Sequence, residues 1–149
     1  MPLSAISWKE KPLWQRISES SQWGGGGWRL IEWEVSGNSL VVEIAGELDL
    51  TCADEFRRVL DSLIDSHPGV ARVILCMDRV AFIDSSGIGV LFGRHRRMAL
   101  RGGTLAIASP SPQAMRALDL LGVPSVIHVY DTLKQALAAE AEVRKCTRK

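Results

Sequence analysis

Asp84-Ser85-Ser86-Gly87 is the stretch of this chain whose residue types and placement can do chemistry, because small polar residues there separate Ala81-Phe82-Ile83 from Ile88-Gly89-Val90-Leu91. A strand should give way to a helix at that point. The N–H groups of a first helical turn lack intrahelical partners and carry the positive end of the helix dipole, so the place favours a phosphate or a carboxylate. From spacing alone, Asp84 or Ser85 is equally suited to the plainer task of capping the helix.

Enzymatic chemistry fits the same residues poorly. A serine hydrolase needs Gly-x-Ser-x-Gly at a strand-to-helix elbow, and Asp-Ser-Ser-Gly stands here instead. His67 falls at a helix end, His128 in a strand, and His95 follows Ile88, Leu91 and Phe92 at helical spacing; none is paired by sequence with a nucleophile. Gly87, Gly89 and Gly93 are spaced one residue too long for a dinucleotide fingerprint, and no Gly-Lys-Ser/Thr phosphate loop is present. Cys52, Cys76 and Cys146 show neither zinc-ligand spacing nor a disulfide framework. No catalytic residue, metal site or cofactor is expected.

The elements that must position Ser85 follow from periodicity. Trp28 to Val35 and Leu40 to Ile44 read as strands, and Ser36-Gly37-Asn38-Ser39 between them is turn chemistry, which together make a β-hairpin. Residues 52–66 place Ala53, Phe56, Val59, Leu60, Leu63 and Ile64 at helical spacing. A buried strand is expected over Val70 to Met77, then a helix from Ser85 to about Leu100 stopped by Gly102-Gly103. Thr104 to Ala108 and Ser125 to Val129 read as further strands. Ser111 to Leu121 reads as a helix, as does Leu133 to about Val143, capped by Asp131 or Thr132. This alternation predicts an α/β fold: a mostly parallel mixed sheet headed by an antiparallel hairpin and covered by about four helices.

All five tryptophans lie between Trp8 and Trp33, and Gly24 to Gly27 divides them. Consecutive glycines make a flexible joint, so residues 1–27 are read as an extension, 28–142 as the domain and 143–149 as a basic tail. A length of 149 residues with 46% hydrophobic and 23% charged content suits one core. The net charge of +1 gives no global attraction to nucleic acid or to an anionic membrane. Lys9, Glu10 and Lys11 interrupt any signal-like apolar run, and no stretch approaches the ~18 apolar residues of a span. A cytoplasmic location is expected.

Three elements in order carry a family resemblance: Gly46-Glu47-Leu48-Asp49 at a strand end, Phe82 to Leu91 with Asp84-Ser85-Ser86-Gly87 opening a helix, and Gly102-Gly103 before a strand. Over roughly residues 30 to 142 the chain resembles the STAS domain of bacterial anti-sigma factor antagonists. The resemblance implies that Ser85 is phosphorylated by an anti-sigma factor with serine kinase activity. The unphosphorylated protein would bind that kinase and release the sigma factor, and a serine phosphatase would restore it. It implies no enzyme activity, no direct nucleic-acid or membrane partner and no small-molecule substrate. An unphosphorylated structural STAS subunit of a stress-signalling or transporter complex is the alternative.

Around the implied phosphosite, Asp84, Ser86, Gly87 and Asp49 are expected neighbours. Cys76, in Leu75-Cys76-Met77-Asp78, stands where the family usually has an acid, so it too is assigned to the surroundings, and Cys52 and Cys76 are expected near one sheet edge as buried thiols or a redox pair. Arg94, Arg97 and Arg101 recur at helical spacing, either as contacts for an acidic partner or as a solvated basic face.

Overall fold

Strict alternation of side chains along each strand decides which residues meet which layer. The computed structural model describes residues 27–139. The hairpin is β1 (Trp28–Ser36) and β2 (Ser39–Leu48), antiparallel, with Ser36 opposite Ser39. Gly37 turns the corner at φ +61°, a value that the first position of such a two-residue turn reserves for glycine. There follow α1 (Ala53–Ser66), β3 (Arg72–Ile83), α2 (Ser85–Leu100), β4 (Thr104–Ala108), α3 (Pro112–Leu120), a 3-10 turn (Val123–Ser125) and β5 (His128–Tyr130). Residues 133–139 form α4. The sheet runs β1-β2-β3-β4-β5, with every pair after the first parallel. This is the mixed sheet, headed by a hairpin, that the pattern predicts.

Leu40, Val42, Ile44, Val73, Leu75 and Met77 share the larger core with the apolar faces of α1, α2 and α3. Val41, Ile74, Cys76 and Ala108 point the other way and meet Ala136 of α4 in a smaller cluster. Arg72 fastens that helix: it is buried, donates to the Ala136 carbonyl, and holds its guanidinium 5.4 Å from the Tyr130 ring centre. At the other edge Trp28 is only 2% exposed. Its ring lies 5.1 Å from that of Phe56, and its Nε1 donates to Glu55 Oε1 at 2.8 Å.

Two expectations need correction, and one left open is decided. β2 and β3 run on to Leu48 and Ile83, well past Ile44 and Met77. Asp78 and Arg79 break the apolar run of β3, yet they lie where β3 has outrun β4, whose pairing stops at Ala108 opposite Cys76; both side chains are exposed there, so charge costs the strand little. The strand expected at Ser125 starts instead at His128, because Pro124 and the left-handed Gly122 (φ +74°) favour the 3-10 turn before it. Thr132, not Asp131, caps α4: its Oγ1 accepts from Gln135 N at 3.1 Å. The extension at residues 1–26, the end of the last helix and the basic tail lie outside the described residues.

Truncating Trp28 to Ala removes a fully packed indole and should cost about 3–5 kcal/mol, read by urea unfolding. Deleting residues 1–26 should leave the cooperative transition in place; its loss would move the domain boundary upstream.

Candidate functional site: the Asp84–Gly87 helix start

Leu48 of β2 stands opposite Ile83 of β3, so the turns that leave these parallel strands meet at one pole of the sheet. Asp84 is the N-cap of α2, its backbone extended (φ −106°, ψ −174°). Its Oδ1 accepts from Ser86 N at 2.8 Å and Gly87 N at 3.1 Å. Its Oδ2 accepts from Leu50 N at 3.2 Å, across the gap between the turns. The Asp84 N–H in turn donates to the Leu48 carbonyl at 3.2 Å. One carboxylate therefore caps α2 and ties it to the turn after β2.

Gly87 is where this turn and α2 come closest. A Cβ there would lie 2.4 Å from the Leu48 carbonyl oxygen and 2.9 Å from Ile83 Cγ1, so only glycine lets the first turn of α2 sit against the strand ends. Asp49 accepts from the Thr51 hydroxyl and from Thr51 N at 3.0 Å; the hydroxyl bond above all holds the Asp49 carboxyl below the usual range. Cys52 caps α1 only through its backbone, and its Sγ donates to the Glu47 carbonyl at 3.2 Å.

Ser85 is the first residue of α2 and is exposed. Its hydroxyl makes no hydrogen bond among the described residues. The two roles that spacing leaves open are thus divided: Asp84 caps, and Ser85 presents a free hydroxyl. Asp84, Ser86, Gly87 and Asp49 are brought together with it. Sequence reasoning missed Leu50 and Phe82, which are 75% and 49% exposed beside this pole. The available signal was an apolar residue, Leu50, in a turn otherwise made of Asp49 and Thr51.

Cys76 is not brought there. It pairs with Glu43 and Ala108 in the middle of the sheet, on the order of 20 Å along β3 from Ile83 at the usual strand rise. It is buried under α4 and lines a cleft of about 70 Å3 with Glu32, Glu34, Glu43 and Leu133. Burial first, then Asp78 and Glu43, push its thiol up to about 11. Cys52 lies at the pole and Cys76 does not, so they share no sheet edge. An acid at position 76 would be a buried carboxylate and no help to Ser85.

The three arginines are also spent elsewhere in the fold. Arg97 pairs with Asp65 and, at 2.5 Å, with Asp61 of α1. Arg94 Nε lies 3.1 Å from Asp61 Oδ1, with the side chain 13% exposed, although the contact is out of line for a hydrogen bond and Nε and Nη1 have no such partner among the described residues. Arg101 donates to the Pro68 carbonyl at 3.0 Å. The stripe thus faces α1 and the loop after it, with Arg94 and Arg97 taken up by ion pairs to α1 while Arg101 stays exposed. His67 receives the Trp33 ring edge-on at 4.7 Å, and His128 stacks on Tyr130. Among the described residues no three His, Cys, Asp or Glu side chains are placed to hold a metal, and no helix is long and apolar enough to cross a membrane.

A hairpin-headed mixed sheet with an Asp-Ser-Ser-Gly helix start at its pole defines a domain of the STAS type. The STAS domain family matches residues 31–136, and the chain belongs to that family. The anti-sigma F factor antagonist of Paenibacillus polymyxa is 34% identical over 113 residues, covering 76% of this chain and 95% of that one. The anti-sigma-B factor antagonist of Bacillus subtilis is 30% identical over 92 residues, covering 62% of this chain and 82% of that one. The fold matches the anti-sigma factor antagonist SpoIIAA in its unphosphorylated form with TM-score 0.62 and 24% identity, over 78% of this chain and 97% of that one. A sulfate transporter family protein from Wolinella succinogenes matches with TM-score 0.62 and 27% identity, over 75% and 92% of the two chains.

Two measurements check this geometry. Gly87→Ala should destabilise by about 1–3 kcal/mol through overpacking, whereas Gly93→Ala in the same helix, where a Cβ meets nothing within 4 Å, should stabilise by up to about 1 kcal/mol. Raising the pH ionises the Cys76 thiol of the unfolded chain near its ordinary 9.0 and that of the folded chain only near 11. Stability from this group is therefore full below 9 and falls between the two values, and Cys76→Ala should show a smaller drop in thermal midpoint across that window.

Proposed function

We propose that this protein is a cytoplasmic anti-sigma factor antagonist, active in binding when Ser85 is unmodified and switched off when Ser85 carries a phosphate. An anti-sigma factor with serine kinase activity is the partner that both binds the pole and modifies it, releasing its sigma factor in the bound state. A serine phosphatase returns the protein to the binding form. The observation that carries this reading is the division of labour at the helix start: Ser85 is exposed with a hydroxyl that makes no hydrogen bond among the described residues, while Asp84 already supplies the cap.

That division has electrostatic consequences. A phosphoserine adds about −1.5 to −2 charge, and the Ser86 and Gly87 N–H groups that might have received it are taken by Asp84. The new charge then adds to Asp84 and Asp49 and projects toward whatever binds. Gly89, one turn along α2, is exposed, and among the described residues nothing lies within 4 Å of where its Cβ would be. A partner surface shaped for a hydroxyl meets a bulky dianion, and a loss of only about 1.4 kcal/mol lowers affinity tenfold. No refolding is required.

The likeness to the Wolinella protein supports a second reading, a STAS subunit of a larger assembly in which Ser85 stays unmodified. Intact-mass measurement on protein from its own cells separates the two, a phosphate on Ser85 favouring the switch and its persistent absence the subunit.

Ser85→Ala should change stability by no more than about 0.5 kcal/mol, since Asp84 is the cap, and should bind the anti-sigma partner without being switched off. Ser85→Glu should bind more weakly, though less so than phosphoserine because it brings one charge. Calorimetry with the partner captured from cells reads both, with circular dichroism to confirm folding. Equal affinity for unmodified, Ser85→Glu and phosphorylated protein would sink the switch.

A further inference from the structure

Acids from three strands gather on the α4 side of the sheet. Glu43 of β2 lies two residues from Val41, which packs with α4, and so shares its face. It stands opposite Glu32 of β1 on one flank and opposite Cys76 of β3 on the other. From there to the next pairing, Arg79 with Ala45, β3 uses three residues where β2 uses two, and Asp78 falls in that irregularity. Glu32 and Asp78 are both exposed, and Glu43 between them is half-buried.

Like charges directly opposite one another on neighbouring strands, with Cβ atoms about 5 Å apart, weaken the pairing. Partial burial leaves such a repulsion less screened than it would be in open water. Among the described residues Arg79 alone lies within ion-pair distance of Glu43, its Nε 3.7 Å from Oε1, and an exposed contact of that kind offsets little. The other groups of the same cleft are Glu34 of β1, the Cys76 thiol and, from α4, the apolar Leu133; Lys134, the next residue of α4, is exposed. Burial first, then Asp78, raise the Glu43 carboxyl from its ordinary 4.5, while Arg79 takes back part of the shift and Glu32 adds to it.

Among the described strands β1 pairs with β2 alone, so it is the flank that yields first. We propose that Glu43 is a proton-operated fastener of the hairpin: protonated, it lets β1 close on β2, and ionised, it repels Glu32 and loosens that edge. A carboxyl held above its unfolded value gives its full stability below 4.5 and loses it as the pH rises through the folded midpoint. Acid therefore tightens the hairpin. This device stands apart from the reading of Ser85.

The test is NMR of the full-length chain across a pH series. The Glu43 carboxyl carbon should titrate above 4.5, with its midpoint lowered by Glu32→Gln and by Asp78→Asn and raised by Arg79→Gln. Amide exchange in β1, corrected for the intrinsic rate at each pH, should give an opening constant that rises severalfold through that midpoint, and Glu43→Gln should abolish the rise. A Glu43 midpoint at or below 4.5 overturns the proposal. So does a midpoint that Glu32→Gln leaves in place, since burial and Asp78 would then account for it without β1, and so does β1 opening that climbs equally in the wild-type and Glu43→Gln chains. Should Glu43→Gln fail to fold, Glu32→Gln combined with Asp78→Asn removes both repelling neighbours and must flatten the same rise; a rise that survives the pair sinks the fastener.

Discussion

The carboxylate of Asp84 organises the pole. With its two oxygens it holds three backbone N–H groups, those of Ser86 and Gly87 in the helix it caps and that of Leu50 in the turn after β2. A charged acceptor bonded to main-chain donors is among the stronger polar contacts in a protein. Here it also joins two segments far apart in sequence. The hydroxyl of Ser85 is left exposed because its neighbour has satisfied the helix, and the absent side chain of Gly87 lets that helix approach closely enough for the bonds to form.

The two faces of the sheet are built differently. One carries α1, α2 and α3 over a continuous aliphatic core, with Phe56 and Trp28 closing its edge. On the other, among the described residues, α4 meets Val41, Ile74, Cys76 and Ala108, and Glu32, Glu34 and Glu43 line the cleft beside it. Burial raises the Glu43 carboxyl, Asp78 adds to the shift, and Arg79 at 3.7 Å offsets part of it. These acids lie away from Ser85. They shape the environment of Cys76, whereas the chemistry of the helix start is set by Asp84 and Asp49.

Much of this arrangement was legible in the residues. The hairpin, the three helices of the larger core and the parallel strands follow from periodicities of 2 and 3.6, and the helix start is marked by polar residues between apolar runs. What was hidden depends on neighbours. Whether Asp84 or Ser85 caps is decided by which side chain reaches the free N–H groups. Asp78 and Arg79 looked like the end of a strand because nothing in the sequence says that β4 stops short of them. The arginine stripe gave no hint that Asp61 and Asp65 would stand across from it on α1. Cys76 was placed by its position relative to a presumed strand end, and once β3 continued to Ile83 that reasoning moved with it.

The overrun of β3 past β4 has a mechanical side. Between Asp78 and Ile83 the strand has β2 on one flank and no β4 on the other, so this stretch reaches past the five-stranded body while Val80 and Ile83 stay packed in the core. The clamp near its root is Ser111, which donates its N–H to the Met77 carbonyl at 3.0 Å and its hydroxyl to the Val80 carbonyl at 2.5 Å, while accepting from Ala114 N to cap α3. Ser111, far from the phosphosite motif in sequence, therefore ties the start of α3 to the stretch of β3 that leads to Ser85.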